Sequence, residues 1–326
     1  MSGVRQASRR SPLLVVIPIF LFVVVFVVAR LAGNASGGSQ DDNPFLDRPP
    51  LVVTGTAGDS AISTASGDDR QLLERLAGVP QATWLTPEAH SVEDVGRFVA
   101  KIAADGEAAG RTPVFVVYGI TDRDCSGGHS SGGLPPDQYA RWVDRISGSI
   151  GDDGAVILEP DALATAAECG TGEARTDLLR AAVTTLTAQG ATVYLDAGHA
   201  NWTAPGDMAA MLEAAGVGDA RGFSTNVAGY ESTDDETVYA QAVSDALGGA
   251  HYVTDTGRNG RGSNGEWCNP AGRALGREPA ASSDGALDAY LWIKPPGESD
   301  GTCGGGPVAG AFWTERAISL ARAAGW

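Results

Sequence analysis

Five aspartates share one setting in the sequence, because each closely follows a short apolar run of the kind that forms a buried strand. They are Asp124, Asp161, Asp196, Asp255 and Asp300. Burial and neighbouring negative charge raise the pKa of a carboxyl group, so crowded aspartates do not all ionise alike. A carboxyl that keeps its proton near neutral pH can act as a general acid beside others that stay ionised. The pattern therefore indicates acid–base chemistry.

Metal and cofactor chemistry has little support in the sequence. The two candidate histidines, His199 and His251, lack the H-x-x-x-H and H-x-H spacings that bring two imidazoles to one metal ion. The glycine-rich segments GRNGRGSNG and GTCGGG do not end in the Lys-Ser/Thr pair of a phosphate-binding loop. We therefore expect no metal and no cofactor, and we expect these glycines to shape loops.

The overall charge narrows the class of substrate. The 326 residues include 40 acidic and 23 basic side chains, which gives a net charge of −17. A protein this acidic is unsuited to nucleic acid and to anionic lipid surfaces, whereas a neutral polysaccharide is a compatible partner. The seven tryptophans either stack on sugar rings or pack in the core. Clustered carboxyl groups together with exposed aromatic rings favour glycoside hydrolysis.

The N-terminal segment predicts export. The basic stretch RQASRR (5–10) precedes eighteen uncharged, mostly apolar residues at 12–29, a length that can span a bilayer as a helix. Basic residues before such a span stay in the cytoplasm. We predict a cytoplasmic end and a transmembrane signal-anchor at 1–32, a flexible linker at 33–42 and an extracytoplasmic domain at 43–326. The alternative is a cleaved signal peptide and a secreted protein.

Strand-like and helix-like segments alternate along residues 43–326. The strand-like runs are nearly continuous in apolar residues, which is typical of a parallel sheet that is buried on both faces. Amphipathic segments lie between them, and the one at 233–247 begins with a capping-box pattern, Thr233 with Glu236. This alternation predicts an α/β barrel of about seven strands. The predicted strands are TWL (83–85), PVFVVYGI (113–120), AVILEP (155–160), ATVYLDAG (191–198), GFSTNV (222–227), HYVTDTG (251–257) and AYLWIK (289–294).

The polar residues of the predicted barrel gather at one end. In a β/α barrel the carboxyl ends of the strands meet on one face, and this face carries the active site. The strands predicted here end in polar or aromatic side chains, so these side chains should share that face. They are Trp84, Tyr118 with Asp124 just beyond it, Glu159 to Asp161, Asp196 to His199, Asn226, Asp255 and Lys294.

Several of these segments resemble the signature regions of glycoside hydrolase family 6, the cellulases of the cellobiohydrolase and endoglucanase type. The resemblance begins with RDC and VILEPDALA and continues in order to the C-terminus. It covers essentially all of residues 43–326. The further segments are YLDAGHANW (194–202), GFSTNVAGY (222–230), DTGRNG (255–260), EWCNP (266–270) and LWIKPPGESDG (291–301).

The resemblance implies a distorted parallel β/α barrel and hydrolysis of a β-1,4-glucan with inversion at the anomeric carbon. Asp161, in EPDAL, matches the general acid. Asp124, in RDC, matches the aspartate that raises the pKa of the acid and assists the attacking water. Asp300, in ESDG, matches a further active-site carboxylate, and the identity of the catalytic base stays open.

The resemblance also implies a set of substrate-binding residues. Tyr118 matches the tyrosine under the distorted sugar ring, Ser130 a serine of a water-relay loop, and Asp196 a supporting carboxylate. Further residues are expected to hold sugar hydroxyls, to stack on sugar rings or otherwise to line the site. They are Trp84, His199, Trp202, Asn226, Trp267, Lys294 and Glu298.

The four cysteines agree with an exported protein. Cys125, Cys169, Cys268 and Cys303 all follow the export signal, and an even number fits two disulfides. A zinc site is the alternative, although the sequence has no C-x-x-C pair. The family pattern implies the pairs Cys125–Cys169 and Cys268–Cys303.

The resemblance has one clear departure. The family usually has Asn or Asp after the tyrosine and Pro before the RDC turn, whereas this chain has Tyr118-Gly119-Ile120-Thr121. Glycine adds backbone freedom. We therefore expect Gly119 to loosen the backbone beside Tyr118 and to alter the sugar site there.

Simpler structural roles exist for several of these residues. Asp161 could cap a helix, because Pro-Asp often begins one. Asp124 could pair with a nearby arginine, and Lys294 could be an ordinary charge at a strand end. Asp196 and His199 could both serve the core rather than the substrate.

The function predicted from the sequence is that of an exported endo-β-1,4-glucanase. The segments between the motifs are short, notably 268–291 and 301–311, which leaves little chain for loops that would roof a substrate tunnel. The resemblance implies that such loops, in exo-acting members, come from 301–311 and 170–190. A processive cellobiohydrolase is one alternative, and a non-catalytic polysaccharide-binding protein of the cell wall is another. The expected partner is a β-glucan, the membrane is contacted through the N-terminal helix only, and the protein is expected to be a monomer.

Overall fold

The structure, a computed structural model, describes residues 1–3, 43–125 and 128–326. The predicted membrane span at 12–29 and the linker at 33–42 lie outside these residues. In the described part of the chain, no helix is both long and apolar enough to cross a membrane. Residues Asn43–Trp326 make up one compact unit.

A largely parallel sheet forms the centre of this unit. Its strands are β1 (Thr83–Leu85), β2 (Val114–Val117), β3 (Ala155–Leu158), β4 (Thr192–Asp196), β5 (Gly222–Thr225), β6 (His251–Asp255), β7 (Ala280–Ala281) and β8 (Leu287–Leu291). Within the described residues they pair in the order β1-β2-β3-β4-β5-β6-β8-β7. All neighbours are parallel except the short β7, which pairs antiparallel with β8. The predicted parallel barrel of about seven strands is confirmed.

Helices alternate with the strands, as a parallel sheet requires. They are α1 (Pro44–Asp47), α2 (Ala57–Thr64), α3 (Gly67–Ala77), α4 (Val95–Ala109), α5 (Pro136–Ile150), α6 (Ala166–Cys169), α7 (Gly172–Thr187), α8 (Pro205–Ala214), α9 (Thr233–Ala246) and α10 (Thr314–Ala323). Short 3-10 turns occupy Val217–Asp219 and Cys303–Gly305.

The strands are apolar throughout because both of their faces are buried. In β2, Phe115 and Val117 pack in the outer core with the helices. Val114 and Val116 point the other way, into a second core that also contains Ile157 of β3. Since successive side chains of a strand point to opposite faces, an uninterrupted apolar run fills the layer outside the sheet and the barrel interior together.

The two sides of the sheet approach each other where the barrel closes. The backbone N–H of Ala82, just before β1, donates to the carbonyl of Trp292, just after β8, at 3.0 Å. The indole N–H of Trp84 donates to the carbonyl of Ile293 at 2.8 Å. These contacts join β1 to the end of β8 without a full ladder, which makes the barrel a distorted one.

One predicted helix cap is wrong. Ser232, rather than Thr233, is the N-cap of α9, and its hydroxyl accepts from the N–H of Asp235. Glu236, predicted to complete the capping box, is instead 0% exposed and faces the barrel. The Ser-x-x-Asp and Thr-x-x-Glu patterns overlap here. Glu236 cannot cap the helix because it is buried and accepts from the N–H of Ala200, in the loop after β4.

Candidate active site

The loops at the carboxyl ends of the strands hold backbone conformations that side chains rarely adopt. Asp124, Glu159, Asp161 and Asn226 have φ values of 52°, 51°, 68° and 59°. Such left-handed residues are costly unless the surrounding contacts fix them, and they gather at functional sites. Asp and Asn tolerate this region better than most residues. The distribution marks the end of the barrel where the sequence predicted the site.

Asp161 lies in the turn after β3, and its backbone N–H donates to Oδ2 of Asp196 at 2.9 Å. Burial is the main influence that raises the pKa of the Asp161 carboxyl well above its usual range. The negative charges of Asp196, Asp124 and Asp300 raise this pKa further, while Arg175 opposes them. The carboxyl therefore keeps its proton at a pH where an exposed aspartate has lost it, as a general acid requires.

Asp196 ends β4 beneath Asp161 and is only 2% exposed. Its carboxylate accepts from the N–H groups of Asp161 and Gly198, at 2.9 and 3.0 Å, and from the hydroxyl of Ser224 at 3.4 Å. Burial raises the pKa of Asp196 to about 7 against the effect of these hydrogen bonds. Among the neighbouring charges, Asp196 raises the pKa of Asp161 more than Asp124 does. The pKa-raising role predicted for Asp124 is thus shared, with Asp196 as its larger contributor.

Asp124 is in contact with Tyr118, whose hydroxyl donates to Oδ1 of Asp124 at 3.2 Å. Burial and the charges of Asp161 and Asp124 raise the pKa of Tyr118 well above its usual value, so the hydroxyl remains a donor. The Arg123 guanidinium lies over the Tyr118 ring, 4.5 Å from its centre. Arg123 forms its ion pair with Glu88, at 3.0 Å.

Glu159 is a buried acidic residue that the sequence analysis placed at a strand end but gave no role in the site. Both of its carboxylate oxygens lie 3.0 Å from the N–H of Gly119, and Oε2 also accepts from the N–H of Ile120 at 3.0 Å. Burial raises its pKa to about 7, while the two amides act to lower it. Its position at the end of a wholly apolar strand, two residues before Asp161, was the available signal.

Asp300 is held by three hydrogen-bond donors. Its Oδ1 accepts from the guanidinium of Arg258 at 2.7 Å, and Oδ2 accepts from the Tyr230 hydroxyl and the N–H of Asn269, each at 2.9 Å. Burial alone would raise its pKa, but the charges of Arg258 and Lys294 and these hydrogen bonds lower it overall. The carboxylate stays ionised, and its lone pairs are committed to these donors.

The two disulfides predicted from the family pattern are present and brace the two sides of the site. Cys125–Cys169 joins the residue after Asp124 to the end of α6. Cys268–Cys303 holds the segment that precedes Asn269 against the chain that follows Asp300.

Trp84, Lys294 and Glu298 form one group at the barrel closure. The Lys294 ammonium lies 4.6 Å from the centre of the Trp84 ring and donates to Oε2 of Glu298 at 3.0 Å. The Trp84 ring meets Tyr118 edge-on, with 5.2 Å between ring centres. Trp84 is half-buried, so this group presents an aromatic surface bordered by charges rather than an open platform.

The other two predicted platforms are exposed. Trp202 is 37% exposed and Trp267 is 64% exposed. The His199 ring lies beside Trp202, 5.2 Å between centres, and burial lowers the pKa of His199. Trp267 lies beside His129, with ring centres 5.9 Å apart. Flat rings at such exposure suit the apolar faces of sugars.

Ser130 and Asn226 take part in local structure. The carbonyl of Ser130 accepts from Nε of Arg123 at 2.7 Å, within the loop that carries Asp124. The letters GHSSG (128–132) fit a nucleophile-elbow pattern, but the segment lies within the long connection from β2 to α5 and not in a sharp turn that joins a strand directly to a helix. Asn226 is 0% exposed, and its side-chain amide bonds the backbone of Glu231 and Asp255. This geometry favours a scaffold role for Asn226 over the predicted contact with sugar.

Gly119 is held tightly, contrary to the predicted backbone freedom. A Cβ at this position would lie 2.8 Å from the Trp142 ring and 3.0 Å from the Pro87 ring. Its N–H donates to Glu159, and its carbonyl accepts from the N–H of Leu134 at 3.0 Å. Glycine is present because no side chain fits between the backbone and Trp142.

One group of described side chains has the spacing of a metal site, and it does not fit a metal ion. His129, Cys268 and Cys303 place one ligand atom each within 4.8 Å of one another. Both sulfur atoms belong to a disulfide, so neither is a thiolate that could bind the ion.

Relatives of known class share both the sequence and the fold. The family model described as Glycosyl hydrolases family 6 matches residues 54–324. Endoglucanase A of Cellulomonas fimi is 47% identical over 83% of this chain, which spans 60% of that protein. Endoglucanase 1 of Streptomyces halstedii is 37% identical over 80% of this chain and 84% of the relative. The 1,4-beta-D-glucan cellobiohydrolase C of Emericella nidulans is 35% identical over 85% of this chain and 72% of that protein.

A solved structure has the same architecture. It is the endoglucanase Cel6 from Mycobacterium tuberculosis in complex with methyl-cellobiosyl-4-deoxy-4-thio-beta-D-cellobioside. The two superimpose with a TM-score of 0.82 at 44% identity, over 87% of this chain and 100% of the other. The family match, the shared barrel and the carboxyl cluster at its rim lead to one conclusion: the chain belongs to glycosyl hydrolases family 6.

Proposed function

We propose that this chain hydrolyses β-1,4-glucosidic bonds in cellulose or related β-glucans, by inversion and within the polysaccharide chain. The observation that carries the proposal is the setting of Asp161. Its carboxyl is buried beside Asp196 and near Asp124, so it holds a proton at a pH where an exposed aspartate has lost it. Glycoside hydrolysis needs such a carboxyl to protonate the leaving oxygen.

Each part of the site has a role in this reaction. Asp161 donates its proton to the glycosidic oxygen as the bond to the anomeric carbon breaks. A water molecule attacks from the opposite side of the ring, which inverts the anomeric configuration. We assign Asp124, with the Tyr118 hydroxyl, to the sugar ring and the attacking water. Asp300, already bound by Arg258, contributes its negative charge next to a developing positive one rather than acting as the base.

The segments around the cleft support cleavage within the glucan chain. The family resemblance places the two covering loops of exo-acting members at 170–190 and 301–311. Here α7 takes up Gly172–Thr187, which leaves little loop for a roof. The second segment holds a 3-10 turn at Cys303–Gly305 and is tethered by the disulfide to Cys268.

One contact favours the alternative of a cellobiohydrolase. The loop after Asp124 reaches the opposite side of the site, where a Cβ on Gly301 would lie 2.3 Å from the His129 ring. This loop also brings His129 against Trp267. A loop that meets the opposite side of the site is what a substrate tunnel requires, so this contact supports the exo-acting alternative.

The proposal is tested with the chain from Asn43 onward on carboxymethyl-cellulose and mixed-linkage β-glucan. Viscosity should fall well before reducing ends accumulate, and the first product seen by NMR should be the α-anomer. Steady release of cellobiose at nearly constant viscosity would instead support the cellobiohydrolase. Binding without any hydrolysis would support the non-catalytic wall protein.

We further propose that the catalytic unit acts outside the cytoplasm as a monomer, held at the membrane by residues 1–32 through the linker at 33–42. The two disulfides support export, because such bonds persist in oxidising compartments. Cell fractionation tests the anchor: the full chain should sediment with membranes. Recovery of a shortened chain from the medium would favour a cleaved signal. Light scattering of the catalytic unit tests the monomer.

A further inference from the structure

We propose that Glu159 is a positioning residue that fixes the segment between Tyr118 and Asp124 and thereby holds Asp124 in place beside Asp161. The inference rests on the proposed function, since it concerns the same reacting site. Glu159 is only 1% exposed, so it acts through the backbone that it binds and not on the substrate.

Glu159 forms hydrogen bonds with the backbone of several residues at and just after the end of β2. Its own N–H donates to the carbonyl of Val117 at 2.8 Å. Its carboxylate then accepts from the N–H of Gly119 through both oxygens and from the N–H of Ile120 through Oε2, all at 3.0 Å. The residue that directly follows β3 therefore sets the path of the chain where it leaves the neighbouring strand, β2.

Gly119 is the base of the loop that carries Asp124. The carbonyl of Gly119 accepts from the N–H of Leu134, which closes the loop from 119 to 134. Tyr118, the preceding residue, donates its hydroxyl to Asp124 across the loop. A displacement of Gly119 therefore moves both partners of the contact on which the position of Asp124 depends.

The groups that face Glu159 come from three elements. Arg123 faces it from the loop, Tyr139 from α5 and Arg175 from α7. Burial raises the pKa of Glu159 to about 7, and the two backbone amides favour its ionised form. A carboxylate that accepts three N–H contacts is an acceptor at both oxygens, which a protonated acid or an amide cannot reproduce.

The test is Glu159→Gln in the full-length chain, with the pH dependence of kcat measured on a soluble β-glucan. Glutamine keeps the size of the side chain but sets an NH₂ group against the backbone N–H of Gly119. We expect kcat to fall by about 10- to 100-fold, the usual scale for a misplaced catalytic group. The basic limb of the pH profile should move to lower pH, because Asp124 no longer raises the pKa of Asp161 as strongly.

A double mutant shows whether Glu159 acts through Asp124. In the Asp124→Asn background, Glu159→Gln should change kcat by less than about threefold and leave the basic limb where Asp124→Asn alone puts it. The effects of two substitutions on the activation free energy add when the residues act independently, and they do not add when one residue acts through the other. Full additivity of the two losses would overturn the proposal.

Glu236→Gln is the matched control. Glu236 is also 0% exposed, accepts from the N–H of Ala200 at 2.8 Å, and has a pKa raised by burial to about 7. The same substitution is thus made at a buried carboxylate that holds a different loop, the one with Ala200. The basic limb of the pH profile should therefore keep its wild-type position. Equal shifts of the limb in both variants would overturn the proposal in favour of a general effect of removing a buried carboxylate.

The basic limbs are compared only over the pH range in which circular dichroism shows each variant to be folded, because the stability of the fold itself changes with pH. If Glu159→Gln yields no folded protein, Glu159→Asp enters the same series, since it keeps the charge but withdraws the carboxylate by about 1.5 Å. A wild-type limb in Glu159→Asp would overturn the positioning role. A wild-type chain inactive on every glucan would refute the proposed function, and the inference with it.

Discussion

Replacing Asp161 with asparagine removes a proton donor and keeps what holds the residue in place. The backbone N–H still donates to Asp196, and asparagine tolerates the φ of 68° found at this position. The substitution therefore changes the chemistry of one group rather than the shape of the site.

The expected loss of rate follows from the role of the acid. General acid catalysis contributes roughly 10²- to 10⁴-fold, which corresponds to about 3 to 5 kcal/mol of barrier. Asp161→Asn should lose about this much kcat on β-glucan, where the leaving sugar needs a proton. On a dinitrophenyl cellotrioside, whose leaving group departs as a stable anion, the loss should stay below about tenfold.

The same substitution should stabilise the fold as pH rises. Burial and neighbouring charges raise the pKa of Asp161, so the folded chain binds a proton that the unfolded chain releases above its ordinary aspartate pKa. That difference lowers the free energy of unfolding with increasing pH, and asparagine has no such dependence. At the outer limit of direct charge interaction, about 6 Å, two like charges cost roughly 3 kcal/mol at an effective dielectric of 20, which sets the upper scale of the gain.

The assay compares wild type and Asp161→Asn on both substrates and follows thermal unfolding from pH 4 to pH 8. The predicted result is a large loss on β-glucan, a small loss on the activated substrate and a melting temperature that exceeds wild type increasingly with pH. Equal losses on the two substrates would refute the assignment of Asp161 as the acid. A lower melting temperature at pH 8 would refute the electrostatic argument.

Three further predictions follow from the same geometry. Asp124→Ala should lower the rate and move the basic limb of the pH profile downward, because Asp124 helps to raise the pKa of Asp161; an unmoved limb would leave Asp124 only its contact with water and sugar. The melting temperature of wild type should fall between about pH 4.5 and 7, since each buried carboxyl with a pKa near 7 binds more protons in the folded chain and contributes up to ~1.4 kcal/mol per pH unit; calorimetry that shows a flat or rising profile would contradict this. Gly119→Ala should cost about 1–3 kcal/mol of stability, as overpacking against Trp142 does, and a melting temperature within a degree of wild type would contradict the packing argument. The carboxyls meant in the second prediction are Glu159, Asp196 and Glu236.

Much of the fold followed from local pattern. The first six predicted strands each contain the observed strand; for example, PVFVVYGI contains β2 and HYVTDTG contains β6. The last predicted strand, 289–294, begins two residues after the observed start of β8 at Leu287. An apolar run that is buried on both faces is a strong local signal that a strand exists. The sequence predicts the ends of a strand less well, because hydrogen bonding to the neighbouring strand decides where it stops. The short β7 had no comparable signal.

The sequence predicted which residues belong to the site, but not which of them contact one another. Asp161 and Asp124 were identified from their motifs, yet the sequence assigned the pKa-raising role to Asp124 alone. The charge of Asp196 raises the pKa of Asp161 more than that of Asp124 does, because Asp196 lies directly beneath the turn that carries Asp161. The role of Asp300 stayed open in the sequence analysis, and the structure adds the ion pair with Arg258, which lowers the pKa of the Asp300 carboxyl.

Gly119 separates what the sequence determined from what only the tertiary structure decided. The sequence by itself determined the order of strands and helices, the cysteine pairs implied by the family pattern and the aspartates at the strand ends, because these depend on residue type and spacing along the chain. It could not show that Trp142, more than twenty positions away, fills the space where a side chain at 119 would lie. It likewise could not show that Glu159 binds the backbone that follows β2, or that Glu236 is buried. Such contacts join residues that are distant in the chain, and only the packing of helices against the closed sheet brings them together.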